Sequence, residues 1–278
     1  AYKVHPYQWP TIGKELSHIA NATLDEVKDF FFRFYAPNNA VLAVTGNISF
    51  EETVALTEKW FASIPKRDVP VRQLPQEPAQ TEERRLVVER NVPVDSLFMA
   101  YHMCERAHPD YYAFDILSDI LSNGKSSRLN RHLVQEKQLF SSIDAYISGT
   151  VDAGLFHISG KPAAGVSLEE AEAAVCEELN RLQNEAVAVQ ELEKVKNKFE
   201  STQIFGNINY LNVATNLAWF ELNGTAEDME KEVERYRSVT AGQLQAVAQT
   251  SFDKRNGVVL YYKGLSPAVS VREGVKLD

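Results

Sequence analysis

Residues 23–47 read TLDEVKDFFFRFYAPNNAVLAVTGN, and residues 240–264 read TAGQLQAVAQTSFDKRNGVVLYYKG. The two stretches align without a gap. Thr23 falls on Thr240, Val27 on Leu244, Phe30 on Val247, Tyr35 on Phe252, Asn39 on Asn256 and Val41 on Val258. Each predicts a helix opened by a threonine cap, then a polar turn containing Asn, then an apolar strand. Solenoid repeats recur every 20–50 residues or so, so copies this far apart are not a solenoid. They predict the closing elements of two related domains in tandem. About 155 residues of domain precede the second copy, starting near Arg84, but only 22 precede the first. Equivalent domains would leave roughly 130 residues of the first outside this sequence. Ala1 is then a candidate expression scar.

Length and charge narrow the classes. A chain of 278 residues holds one large domain or two modest ones. The net charge of −9, without a basic stripe, argues against nucleic acid as a partner. No apolar run approaches the 18 or so residues of a membrane-spanning helix. Nothing in the chain assigns a compartment. Cys104 and Cys176 are too few for a disulfide framework and are expected as buried free thiols.

Around the anchor stretch, His5-Pro6-Tyr7-Gln8-Trp9-Pro10 is extended by its prolines. A short helical piece is expected around Lys14–Ile19. The helix capped at Asn21 or Thr23 ends at Pro37, and Ala40–Val44 reads as a buried strand. Ser49 with Glu52 predicts a helix over Phe50–Ala62. Residues 65–83 carry Pro65, Pro70, Pro75 and Pro78 and no apolar periodicity, so they form a semi-extended linker. The expected division is residues 1–66 as the end of the first domain, 67–83 as linker and 84–278 as the second domain.

In the second domain, strands are expected at Leu86–Arg90 and Ser96–His102, and helices from Pro109 to Ser122 and from Ser127 to Gln138. Phe140–Ser148 and Gly154–Lys161 read as an antiparallel pair. Five helices follow, over Ser167–Asn184, Val189–Phe205, Asn209–Asn223, Glu227–Ser238 and Thr240–Thr250, before a last strand over Asn256–Tyr262. The order predicts an α+β class, with helices on one face of a mostly antiparallel or mixed sheet.

Chemistry is sparse. The histidines are His5, His18, His102, His108, His132 and His157, and none forms an HExxH or HxxEH helix. His132 with Glu136 reads as a surface contact. Gly124-Lys125-Ser126 lacks the first glycine of a phosphate loop, since Asp119 stands there. No GxSxG elbow occurs. Trp9, Trp60 and Trp219 are expected as core or interdomain anchors. Arg128 is expected to hold a carboxylate or carbonyl. The acidic runs 169–172 and 227–234 read as solvated helix faces.

Several stretches together resemble the zinc metalloproteases that include insulinase, pitrilysin and the mitochondrial processing peptidase. HPYQWPTIG and FYAPNNAVLAVTGNI are similar to the part of that family's first domain downstream of its zinc site. Asn123-Gly124-Lys125-Ser126-Ser127-Arg128-Leu129 is similar to the Ser-Arg-Leu signature of its second domain. The resemblance implies two tandem domains of one fold, the first truncated here. It implies a parent enzyme that hydrolyses peptides in a clamshell chamber. There an HxxEH helix and a later Glu hold zinc, which lowers the pKa of its bound water to about 7. All of those ligands would lie upstream, so no zinc and no peptidase activity are expected of this chain alone.

The resemblance also implies an Arg and, seven residues on, a Tyr that steady substrate and oxyanion. Those positions are Val134 and Ser141 here, and neither side chain can do that work. Two expectations stay open. A homologous subunit, in a homo- or heterodimer, supplies the missing groups for a peptide substrate. Alternatively the protein is a noncatalytic scaffold or binding subunit.

Overall fold

Between Arg84 and Gly264 the strand periodicity becomes one mixed five-stranded sheet, in a computed structural model that describes residues 1–265. The end of the expected second domain, 266–278, lies outside the described residues. The strands are β1 (Arg84–Arg90), β2 (Ser96–His102), β3 (Phe140–Ile147), β4 (Leu155–Pro162) and β5 (Gly257–Gly264). Their order is β1-β5-β2-β4-β3. β1 runs parallel to β5, with Leu86 opposite Leu260. The other neighbours are antiparallel, with Leu97 opposite Tyr261 on one side and opposite Gly160 on the other.

The helices are α1 (Leu16–Ala20), α2 (Leu24–Phe34), α3 (Phe50–Phe61), α4 (Tyr111–Ser122), α5 (Leu168–Asn184), α6 (Val189–Gly206), α7 (Tyr210–Asn223), α8 (Asp228–Ser238) and α9 (Ala241–Ser251). Alternation along β2 sends Leu97, Met99 and Tyr101 to one face, where all three are buried. The core they share is completed by Ile116, Leu117, Ile120 and Leu121 of α4, by Val175 and Leu179 of α5, and by Leu244 and Val247 of α9. Each such side chain contributes about 1.5–3 kcal/mol by leaving water. The result is an α+β fold with helices on one face of the sheet. No helix among the described residues is long and apolar enough to cross a membrane.

The repeated stretches share their local geometry. Thr23 caps α2 in a reciprocal box with Glu26, and Thr240 caps α9 in the same way with Gln243. A 3₁₀ turn follows each helix, at Pro37–Asn39 and at Lys254–Asn256. Then the copies part. The second continues into β5, between β1 and β2. The first does not form the expected strand: Ala40–Val44 is extended but unpaired, because no strand among the described residues lies beside it to complete a ladder. In residues 1–83 only His5 and Ala36 are buried.

Other expectations are corrected by packing. The helix after Ser127 is π-wound over Leu129–Glu136, with Lys137 N–H bonded to the His132 carbonyl. The wide turn puts Leu129 and Leu133 in the core. His132 turns inward to Glu178, while Glu136 pairs with Arg131. Trp9 and Trp60 are exposed, covered by no apolar element among the described residues and flanked only by Lys14 and Lys59 over their rings. The two cysteines are half-buried rather than buried, and burial pushes the Cys104 thiol up to about 12.

Candidate functional site

Two features of the second domain bear on function: the open face of the sheet, and the Ser-Arg-Leu segment with the turn behind it.

The open face follows from the alternation that fills the core. Leu86, Phe98 and Tyr146 point away from the helices and are exposed. Ala100, Leu260, Tyr262 and His157 sit half-buried among them. The face is apolar over β1, β5 and β2 and polar over β4 and β3, where Asp144 lies opposite Ser159 and Tyr146 opposite His157. The His157 ring stacks on Tyr146 at 4.8 Å and 14°. Its Nε2 lies 2.7 Å from the Ser148 hydroxyl. Burial holds His157 below its usual pKa, so it sits there as a neutral ring. No acid is placed to complete a nucleophilic triad with this pair among the described contacts, and the arrangement serves to orient the imidazole on the face.

The Ser-Arg-Leu segment is built for support. Ser127 is fully buried and donates to the Gly124 carbonyl at 2.6 Å. Arg128 reaches Glu191 on α6 through Nε and Nη2, at 3.0 and 2.7 Å, the carboxylate role expected of it. Val134 packs on the core from the π-wound segment. Ser141 is exposed near the start of β3 and donates to the Lys161 carbonyl at 3.1 Å. The two positions therefore lie on successive elements joined by a tight turn. Gln138 makes that turn with φ of 54°, a left-handed conformation that side chains rarely adopt.

A cavity of about 640 Å³ between α7, α8 and the loop after β2 gave no sign in the sequence. Arg106 forms its floor, stacked 4.1 Å over the Tyr111 ring and facing Trp219 at 5.3 Å. Its charge is answered by Glu232, which lies in an acidic run expected to be solvated and is buried instead. Only the juxtaposition of α8 with the loop after β2 makes this pairing, so no local pattern could have signalled it.

The described side chains do not suit a zinc ion. No three His, Cys, Asp or Glu residues converge among them. The one His–Asp contact at the N-terminal segment, His5 with Asp152, also includes Arg72, a cation that opposes metal binding.

A family profile described as the peptidase M16 inactive domain matches residues 21–199. The zinc protease PqqE of Helicobacter pylori is 31% identical over 199 residues, which is 70% of this chain and 45% of that protein. The crystal structure of a protease from Helicobacter pylori superposes with a TM-score of 0.87 and 26% identity, over 94% of this chain and 64% of the other. A peptidase M16 inactive domain from Pseudomonas fluorescens superposes with a TM-score of 0.83 over 95% of this chain and 63% of the other; at 20% identity it speaks for the fold alone. The chain spans about half the length of the curated relatives it matches. With that profile covering more than half of its residues, the chain belongs to the peptidase M16 family and carries the domain which that family's description calls inactive.

Proposed function

We propose that this chain is part of a zinc-dependent metalloendopeptidase that hydrolyses peptides held in a clamshell chamber. In this view residues 1–66 end the metal-site domain, 67–83 link, and the domain from residue 84 supplies one wall of the chamber, its open sheet face turned inward. The zinc-holding HxxEH segment, absent from this sequence, belongs to residues ahead of His5 in the parent protein. The supporting observation is the condition of residues 11–66. α2 presents Phe30, Phe31 and Phe32 to solvent, α3 presents Trp60 and Phe61, and the extended stretch between them presents Leu42 and Val44. The repeat counterparts of Phe30, Phe31, Leu42 and Val44 are Val247, Ala248, Val259 and Tyr261, and all four are packed into the core. An apolar face of this size is the remnant of an interior.

A second reading is favoured by Val134 and Ser141. Val134 is occupied with core packing and Ser141 with a backbone carbonyl, so neither offers a donor to a developing oxyanion. A partner subunit with the Arg and Tyr would complete the site; without one, the protein is a scaffold or binding subunit.

The test is to express the parent with its preceding sequence and measure zinc content and cleavage of unstructured peptides, alone and with a homologous subunit carrying the Arg–Tyr pair. One zinc per chain, with cleavage at least tenfold faster in the mixture, supports a divided active site. Absence of zinc and of cleavage in both would leave the scaffold reading standing.

A further inference from the structure

The N-terminal segment belongs to the first unit in sequence but is fastened to the second domain. The Glu77 carboxylate in the linker accepts three consecutive backbone N–H groups, from Lys3 at 2.8 Å, Val4 at 2.8 Å and His5 at 3.0 Å. Burial works against the Glu77 charge, but these donors outweigh it and hold the carboxyl below its usual range. His5 is buried, and its Nδ1 accepts the Tyr7 N–H at 3.2 Å. The ring proton therefore sits on Nε2, which faces Asp152 Oδ2 at 3.3 Å in the β3–β4 turn. Asp152 also pairs with Arg72 of the linker, and its N–H reaches the Tyr7 hydroxyl. The Tyr2 hydroxyl donates to the Ala153 carbonyl at 2.8 Å, and the Tyr2 ring stands edge-on to His102 at 5.5 Å, at the end of the open face. Beyond Glu77, Gln80 ties the linker to the Arg255 and Gly257 carbonyls at the start of β5. The linker is thus pinned along the second domain, and the N-terminal segment is pinned to both.

We propose that Glu77 and Asp152 are positioning residues that mount residues 3–7 on the second domain, so that this stretch of the metal-site domain is held in fixed register with the open sheet face. A carboxylate collecting three adjacent amides sets direction as well as attachment, since those amides must point one way. In the proposed enzyme this fixes the separation of the two chamber walls at the segment entering from the zinc side. That consequence rests on the proposed function; the mount itself does not.

Amide hydrogen exchange on the 278-residue chain tests the mount directly. The amides of Lys3, Val4 and His5 are expected to be protected. Glu77→Gln, which turns a donor toward them, should speed their exchange at least tenfold and leave Leu97 and Phe156 in the sheet unchanged. Asp152→Ala should speed exchange at Tyr7 and His5 in the same selective way. Unprotected amides at 3–5 in the unaltered chain, or no change in Glu77→Gln, would overturn the proposal. In the zinc-bearing parent, Glu77→Gln should lower kcat with zinc content and KM unchanged. A parent that cleaves nothing, with the exchange results intact, would remove the proposed function and leave the mount; intact cleavage by Glu77→Gln with fast exchange would remove the positioning role.

Discussion

Asn39 and Asn256 make the same hydrogen bond in the two copies of the repeat: the Asn39 amide donates to the Phe34 carbonyl at 2.7 Å, and the Asn256 amide donates to the Ser251 carbonyl at 2.9 Å. Asn256 adds a bond to the His102 carbonyl on β2, at 2.9 Å. That extra bond ties a helix terminus to a sheet, and among the described residues the first copy has no strand there to receive its equivalent. Asn256→Ala should therefore destabilise the second domain by about 1–3 kcal/mol, the cost of leaving half-buried carbonyls unpaired. Asn39→Ala should leave the same urea transition where it was. A larger loss from Asn39→Ala would show that residues 11–66 share the second domain's cooperative unit.

Glu178 is wholly buried on α5, with His132 Nδ1 at 2.9 Å and Arg181 at 3.2 Å. Removing His132 leaves Glu178 Oε2 without its hydrogen-bond partner inside the core, with Arg181 facing Oε1 alone. His132→Ala is expected to cost about 3 kcal/mol in denaturant unfolding. His132→Ala combined with Glu178→Leu should recover most of it, since an apolar pair needs no partners. A double variant no more stable than the single one would refute this account.

Gln138 holds its left-handed backbone at a cost of about 1–2 kcal/mol. Glycine removes that strain but adds freedom to the unfolded chain, worth about 0.5–1 kcal/mol. Gln138→Gly should stabilise by the difference, about 0.5–1 kcal/mol, seen as a small rise in Tm. A fall in Tm would mean that the Gln138 side chain contributes more than its backbone loses.

Asp115 on α4 is pushed above the ordinary value of 3.8 chiefly by burial, against the opposing hydrogen bond from the Tyr236 hydroxyl. The folded chain then keeps this proton over a range where the unfolded chain has released it. Stability from this group is greatest below the unfolded value and declines as pH rises through the folded one. Asp115→Asn should flatten the fall in urea midpoint upward from about pH 4. An unchanged slope would mean that the carboxyl ionises freely in the fold.

The elements were legible because their signals are local. Capping boxes at Thr23 and Thr240 and the Ser167 cap mark true helix starts, and the apolar run within SLFMAYH becomes β2. Ala40–Val44 misled because an apolar β-branched run states a preference for a sheet, while pairing depends on neighbours the run cannot name. The π-winding after Arg128 and the burial of Glu232 escaped for the same reason: each is decided by a contact with a distant residue, Glu178 in one case and Arg106 in the other. The candidate site was legible mainly through resemblance. Val134 and Ser141 could be located from the Ser-Arg-Leu signature, whereas the polar fastening of residues 3–7 joins side chains scattered over residues 2–153 and left no pattern in any one stretch.

The parallel pairing of β1 with β5 has a consequence for biosynthesis. β5 inserts between β1 and β2, so a nascent chain emerging from the ribosome holds the three-stranded ladder of β2, β4 and β3 and an orphan β1 until residue 264 is free. Completion of the domain is a late, long-range event, slow for its size, and any truncation that shaves off β5 splits the sheet rather than trimming its margin.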